Sequence, residues 1–529
     1  MGMTPSRRDF VAMLLGAPFA YACSRGSTSR GLPPGSLIDT GMARAHAAVR
    51  DGKVPTVTQW RKQRVVIVGG GVAGLGAAWE LRRRGVKDVV VLELDDVVGG
   101  TARGGASNVT PYPWGAHYIV APQKEQADLT ALLTEMNAIE SYAADGTPVV
   151  DETLRCREPE ERVWYLGRWW DGLYLEAASS PEDRRQLAAF NAEIDRWSGW
   201  RDELGRRAFV IPRSFGSDAS QVTELDRMSF AQWLDARGLV SERLRWLCDY
   251  ACRDDYALTA ATTSAWAGLF YFAARQSAPG ADAQSVVTWP DGNNALITHL
   301  AGGATIERGI AVVDIDEATG RIIAVGPSGP MGIEADRIIV ATPTFVANRM
   351  VRARRGQAHG DYGAWVVANV HLRGRPVERG KGAPPAWDNV FRDSPSLGYV
   401  CATHQRGRDR GPTVWTWYYP FTDDDAVSVR KKLAGAGYAE WAETILADLS
   451  RAHPDVRDHV DHIDVAFWGH GMIRPRVGSM FMRDLLSPRA KPVGRVHFAH
   501  TDLSGLALFE EAFDHGLRAA REVANEIRA

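Results

Sequence analysis

Cysteine is scarce: five in 529 residues, too few for a disulfide-held scaffold. An excess of one charge is missing too. Lys plus Arg total 62 and Asp plus Glu 64, a formal net charge of −2. That balance argues against a nucleic-acid binder, whose footprint is a basic excess. After the first residues no stretch approaches the ~18 uninterrupted apolar residues of a membrane span, so the mature chain is expected to be water-soluble. No Walker loop or Ser-His-Asp arrangement stands out. His453, His459 and His462 lie in a charged stretch without Cys partners; a solvated helix face is expected there, and no metal. What the sequence does contain is ordinary globular composition, 45% hydrophobic and 24% charged, which excludes disorder throughout. The length suggests about three to four domain-sized units. Glycine (52) and tryptophan (18) are plentiful, pointing to close backbone approach to a ligand and an aromatic-lined interior.

The N-terminus reads as an address. Ser6-Arg7-Arg8-Asp9-Phe10 precedes an apolar run from Val11 to Ala22, too short to span a bilayer. It resembles a twin-arginine export signal over residues 1–23. That resemblance implies export machinery as a partner, a periplasmic destination, and folding around a cofactor before export. Two endings stand side by side. Ala20-Tyr21-Ala22 is a signal-peptidase pattern. The same run ending in Cys23 resembles a lipoprotein box with a lipid anchor, although Ala20 stands where Leu is usual. Residues 24–60, rich in Ser, Gly, Arg and Pro, read as a linker or loosely packed arm.

A nucleotide site follows. Arg64 to Val68 is a β-branched strand pattern, Gly69 to Gly74 follows at once, Leu75 to Arg84 is helical in period, and Val89 to Leu92 ends at Glu93. This is G-x-G-x-x-G in its full strand–turn–helix–strand setting. Gly69 permits the tight turn, Gly71 lets backbone approach a pyrophosphate, and Gly74 lets helix pack on strand. Val72 and Ala73 open the helix whose N-terminus faces the phosphates. Glu93 is placed to accept a ribose diol, and an acid there disfavours the 2′-phosphate of NADP.

The next stretch, Asp95 to Arg103 with Gly99, Gly100 and Arg103, resembles the flavin amine oxidase superfamily. That superfamily includes monoamine and polyamine oxidases, protoporphyrinogen oxidase and carotenoid desaturases. The resemblance implies FAD, with Gly99, Gly100 and Arg103 along its pyrophosphate and ribityl chain. Trp114 to Ile119 resembles the segment passing the flavin ring, which places Ala116 and His117 near it; Trp114 replaces the family's acid. Trp289-Pro290-Asp291-Gly292 with Leu296 and Leu300 resembles the family's Pro-x-Gly-Gly segment, Asn293 replacing the second Gly. Val312 or Val313 is expected to meet the adenine end by its backbone. Gly494 to Asp502, followed by a helix from about Leu506 to Arg528, resembles the closing strand and helix, whose N-terminus points at the flavin; Asp502 and Leu506 are placed there. His500-Thr501 replace the usual Gly-Glu, and Glu510-Glu511 stand at the helix start.

The expected fold is therefore α/β: a Rossmann-type FAD domain from 61–125, 285–345 and 490–529, interleaved with a substrate domain from 126–284 and 346–489. The first insert looks mainly helical, Ser229 capping one helix. The second carries strand patterns at Trp365–Leu372 and Thr413–Tyr419. Trp415, Trp417 and Tyr419 share one strand face by alternation. Trp417, Tyr419, Trp468 and His470 are taken as the aromatic wall at the flavin's reactive face, an amine cage by cation–π attraction. Acids at Asp249, Asp254, Asp255 and Asp423–Asp425 would steer polyamines from a pocket mouth, but a solvated surface is expected for them. Cys248 and Cys252 are expected as buried free thiols.

The reaction implied is hydride transfer from a substrate carbon to flavin N5, with an amine as substrate. The family's frequent Lys is missing from Trp365–Leu372, which favours an electron acceptor other than oxygen. Two alternatives remain: a desaturase or dehydrogenase of a bulky apolar isoprenoid or porphyrin-type substrate, and a non-catalytic flavin-binding scaffold.

Overall fold

In the computed structural model, which describes residues 31–176, 179–380, 382–422, 425–481 and 490–528, the β-branched run before the glycines ends the strand Trp60–Val68. Val65, Val66 and Ile67 have no exposed surface, as a strand covered on both faces requires. It pairs in parallel with Val89–Leu92 on one side and Gly329–Val340 on the other. Thr305–Glu307 extends the sheet beyond Val89–Leu92. The antiparallel meander Ala311–Asp316, Arg321–Gly326 and Gly329–Val340 completes the other side, and Val496–Phe498 adds in parallel to Gly329–Val340.

Two helices seal one face. In the helix Val72–Arg83, Gly76 lies against Phe513 of the C-terminal helix Phe509–Arg528, and a Cβ on Gly516 would stand 2.2 Å from the Ala73 carbonyl oxygen. The backbones touch, so neither position tolerates bulk. Trp79 packs against Phe513 with ring centroids 5.6 Å apart and planes tilted by 48°, and it donates from Nε1 to Glu135 at 2.8 Å. The closing helix begins at Phe509 rather than near Leu506, because Gly505, at φ +76°, turns the chain after the short 3-10 turn Thr501–Leu503.

A second, eight-stranded sheet runs in the order Gly35–Ile38, Val460–Ile473, Tyr362–Leu372, Thr413–Pro420, Gly398–Cys401, Asp388–Phe391, Glu161–Tyr165, Arg168–Asp171. Two expectations change here. The linker drawn over 24–60 is not loose from Pro33 onward. Gly35–Ile38 pairs in parallel with Val460–Ile473, Tyr438 donates to the Pro33 carbonyl at 2.7 Å, and Thr40 donates to the Phe467 carbonyl at 3.0 Å. A sheet edge offers unpaired backbone groups to any extended segment, so no apolar period is needed to dock one. The first insert is also less purely helical than expected, since it supplies the two strands at the far edge of this sheet.

The helices of that insert, Pro181–Gly199, Phe230–Asp235, Glu242–Tyr256 and Ala265–Ala273, pack round Phe190, Phe209, Phe230, Trp233 and Trp266. Ser229 caps Phe230–Asp235 in a capping box with Gln232. Cys248 and Cys252 are buried, free thiols in this layer. Behind the sheet the helix Tyr438–Leu449 presses Trp441, Ile445 and Leu449 onto it. Five tryptophans, at 79, 169, 233, 266 and 417, are among the largest fully buried side chains, so much of the tryptophan excess goes into packing. The architecture is α/β, a dinucleotide-binding sheet interleaved with a mixed sheet and a helical cap. Among the described residues no helix is long and apolar enough to cross a membrane. The export-signal residues 1–23, the linker residues 24–30, and Asp423 and Asp424 lie outside the described residues.

Candidate active site

The cradle is built from backbone. Gly69, at φ +104°, turns the chain beneath the Ala341 carbonyl, and a Cβ on Gly74 would lie 1.9 Å from the Gly69 oxygen. A Cβ on Gly71 would meet nothing within 4 Å. That open space lies before the helix Val72–Arg83, whose first bonded amide is that of Leu75, to Gly71 at 2.9 Å. The amides of Val72 and Ala73 precede it and carry the helix's partial positive charge. Gly99, at φ +113°, donates its amide to the Gly70 carbonyl at 2.8 Å and clasps the Gly99–Gly100 loop to the turn. Glu93 accepts from the amides of Gly70 (2.7 Å) and Asp95 (2.8 Å), while burial pushes its pKa up. Val313 is the bulged residue of its strand, skipped by the ladder between Val312 and Asp314, so its backbone groups are outside the pairing.

Arg103 links cradle to floor. It is buried, pairs with Asp95 at 2.6 Å and lies 5.1 Å over the Trp468 ring. Trp468 donates to the Trp114 carbonyl at 2.7 Å and faces Trp365 in register. His470, two residues on, stacks on Phe345 at 4.3 Å and near Tyr362; burial lowers its pKa to about 4. Ala116 is tied through its amide to Thr101 (2.9 Å) and through its carbonyl to Asn293 (3.2 Å). The Asp502 carboxylate receives the Thr344 amide at 2.7 Å and the Tyr362 hydroxyl, and it sits beside His500. Its side chain therefore braces the sheet-to-sheet junction. Leu506 is fully buried in the core of the helical layer; any part it plays toward a ligand falls to its backbone.

Trp417 and Tyr419 require correction. They share a strand face, as expected, but it is the face turned away from the cradle. Trp417 has no exposed surface and donates to Asp448 at 2.9 Å, and Tyr419 packs against Phe421 and Trp441. Alternation fixes which residues share a face but not which face meets the ligand. The intervening Tyr418 points inward, donating to the Gly115 carbonyl at 2.9 Å and lying 4.8 Å from the His117 ring.

Around His117 the sheet and the cap bring together a cluster of side chains that sequence reasoning missed. Trp387 and Tyr118 stand 5.2 and 5.3 Å from the imidazole. Burial lowers the His117 pKa to about 4, opposed by the contact of Nδ1 with the Gly115 carbonyl at 3.3 Å. A carbonyl partner needs the proton on Nδ1, which leaves Nε2 a lone pair. Four carboxyls gather here: Asp254 and Asp255 from the helix Glu242–Tyr256, Asp388 from the sheet, and Glu161 opposite it on the neighbouring strand. Asp255 pairs with Arg275 at 3.1 Å, and Arg275 also donates to Tyr118 at 3.1 Å. Tyr250 donates to Asp388 at 3.2 Å. The Asp254 side chain has no hydrogen bond among the described residues, and Arg253 beside it is held by the carbonyls of Ser394–Ser396.

Desolvation, then the neighbouring negative charges, raises Asp254 to about 7, Glu161 to about 8, and Asp388 well above the usual range. Yet Asp254, Asp388 and Glu161 keep accessible surface, so they are not sealed in a packed core. This overturns the solvated surface expected for Asp254 and Asp255. Asp249 is used differently, accepting the Ala260 amide at 2.9 Å. The histidine stretch changes as well: His453 is buried against Tyr399 at 2.8 Å and His459 pairs with Asp455 at 3.1 Å, so it is no solvated helix face.

Residues 72–524 match the family profile of flavin-containing amine oxidoreductases. The chain belongs to that family. Among solved structures it resembles putrescine oxidase with putrescine bound, at 18% identity and TM-score 0.61, covering 88% of this chain and 99% of that one. Cyclohexylamine oxidase from Brevibacterium oxydans IH-35A matches at 16% identity and TM-score 0.60, covering 89% and 100%. A fatty acid isomerase from P. acnes matches at 15% identity and TM-score 0.61, covering 87% and 98%. Likeness at these identities is likeness of fold.

The flavin-containing amine oxidoreductase is thus an FAD-dependent enzyme acting on a small molecule, and its residues fit the cofactor. The space before Gly71, the leading amides at Val72 and Ala73, the doubly anchored Glu93 and the unpaired backbone at Val313 are what a dinucleotide needs along its length. When bound there, FAD would supply the two-electron acceptor for oxidation of the substrate.

Proposed function

We infer that the protein oxidises a cationic amine, with a second ammonium of a diamine or polyamine held in the recess behind His117. The supporting observation is the set of three carboxyls, Asp254, Asp388 and Glu161, without an ion-pair partner among the described residues. Buried carboxyls in excess of cations stay protonated, at a cost in the free protein that a bound ammonium offsets. Trp387, Tyr118 and Tyr418 supply aromatic walls for the methylene chain and cation–π contact. His117, kept neutral by its burial, can accept a hydrogen bond at Nε2 from the amine, which must itself be neutral before its carbon gives up hydride.

The missing lysine on the fully buried strand Tyr362–Leu372 supports an acceptor other than oxygen. An apolar polycycle fits less well, since it would cover those carboxyls without neutralising them. The Ser6-Arg7-Arg8-Asp9-Phe10 run supports export by the twin-arginine route to the periplasm, either as a soluble protein or anchored through Cys23.

Anaerobic titration of the FAD-loaded protein tests the reading. Putrescine and spermidine should bleach the flavin at lower concentration than cyclohexylamine, and carotenoids or porphyrinogens should not bleach it. Bleaching by the apolar compounds alone would overturn the amine assignment.

A further inference from the structure

We propose that His371, His462 and Asp464 form a binding site for a borderline divalent transition-metal cation, apart from the flavin and the amine recess. His371 on Tyr362–Leu372 and His462 on Val460–Ile473 are directly opposed in the antiparallel register. Their rings stack at 3.8 Å with 14° between planes. Asp464, two residues beyond His462, projects from the same face. Its Oδ2 lies 3.8 Å from His371 Nε2 and 3.7 Å from His462 Nε2. All three ligand atoms fall within 4.8 Å of one another. In a tetrahedral site with zinc–nitrogen bonds of about 2.1 Å, neighbouring ligand atoms stand about 3.4 Å apart. The two carboxylate–nitrogen distances therefore need a contraction of a few tenths of an ångström, and the stacked imidazoles must turn out of parallel so that both in-plane lone pairs meet at one ion.

The second observation is His371 itself. It is 5% exposed, and its Nε2 has no hydrogen-bond partner, although buried polar atoms are almost always satisfied. A buried imidazole nitrogen without a partner, facing a carboxylate, is the arrangement a cation between them resolves.

The surroundings are those of a ligand set. The Ser36 hydroxyl donates to Asp464 Oδ1 at 2.9 Å, orienting the other oxygen toward the imidazoles. Asp461 lies 3.2 Å from His462 Nδ1, which places the proton there and the lone pair on Nε2. Two imidazoles and a carboxylate, with no sulfur, suit zinc, copper(II), nickel(II) or iron(II) rather than calcium or magnesium. Such an ion would staple the N-terminal strand Gly35–Ile38, through Ser36, to the two longest strands of the sheet. The geometry was hidden in the sequence because His371 and His462 meet only across the ladder.

The test uses untagged, FAD-loaded, full-length protein. It is equilibrated with zinc chloride, passed over a desalting column and analysed for metal per chain, with cobalt(II) as a visible probe. About one zinc per chain is expected, with a raised unfolding midpoint and cobalt d–d bands beyond the flavin absorption. His462→Gln and Asp464→Asn, both at partly exposed positions, should each lose the zinc and the cobalt bands while keeping the flavin spectrum. Substoichiometric zinc in the unaltered protein overturns the proposal. So does zinc that survives both substitutions, which would place the ion elsewhere.

Discussion

The FAD cradle and the proposed amine recess are made of different material. The FAD cradle is nearly all backbone, supplied by one contiguous stretch from Gly69 to Arg103 plus the bulge at Val313. The proposed amine recess is nearly all side chain, collected from His117–Tyr118, Glu161, Tyr250–Asp255, Arg275, Asp388 and Tyr418. A backbone site is specified by where side chains are missing; a side-chain site is specified by which strand face turns inward. The first therefore tolerates little substitution within a short motif. The second is assembled by the fold and tuned by charge.

The sharpest break in that comparison lies within the cradle itself. Gly71 opens onto empty space, whereas Gly74 is pressed against the Gly69 carbonyl. Gly71→Val should fold with unchanged far-ultraviolet circular dichroism and yet be colourless, its side chain occupying the phosphate position. Gly74→Val should fail to fold, because its Cβ would have to displace backbone. A Gly71→Val protein that keeps its FAD would remove the cradle from the site.

This difference also explains what could be read in advance. Gly69, Gly71, Gly74 and Glu93 were legible because a strand, a turn and a helix in fixed order leave few roles for those residues. The inward face of Thr413–Pro420 was not. Trp415, Trp417 and Tyr419 carry the stronger aromatic signal, and that signal belonged to the packing against Tyr438–Leu449. Tyr418 lay between them with nothing local to mark it. Asp254 and Asp255 were visible as an acidic pair, but only Arg275, Asp388 and Glu161, remote in sequence, show that the pair is enclosed. The arm from Pro33 was missed because edge pairing uses backbone groups that no composition records.

In the recess, Asp254→Asn should lower kcat/KM for a diamine by roughly 100-fold, the order expected when one partner of a desolvated charge contact is removed, while the FAD spectrum stays unchanged. It should also raise the unfolding midpoint of the ligand-free protein above pH 7. The sign follows from linkage. A carboxyl whose folded pKa is raised binds its proton more tightly folded than unfolded, so stability falls as pH rises from its unfolded value near 4 toward about 7. Asparagine removes that fall. A variant with lower activity and an unshifted midpoint would mean that Asp254 is not held in the enclosed, charged setting described.

A smaller effect should appear in the pH profile. As pH drops through about 8 and then about 7, Glu161 and Asp254 take up protons and lose their attraction for a distal ammonium. The kcat/KM for putrescine should fall on the acid side, more steeply than for cyclohexylamine, which has no second ammonium to place. Parallel profiles for the two amines would separate the acidic recess from substrate recognition.

The smallest predicted change tests which face of the sheet is functional. Tyr418→Phe deletes one hydrogen bond to the Gly115 carbonyl and should cost about 1 kcal/mol, a several-fold loss in kcat/KM with little change in midpoint, because the ring stays packed beside His117. Trp417→Phe removes the donor to the buried Asp448 and part of the packing against Tyr438–Leu449. It should lower stability by about 1–3 kcal/mol and leave turnover of the folded fraction as it was. The two substitutions sit on adjacent residues of one strand, so local disturbance is shared and only the direction of the side chain differs. If Trp417→Phe impaired turnover and Tyr418→Phe did not, the strand would present its other face to the flavin, and the recess behind His117 would be structural.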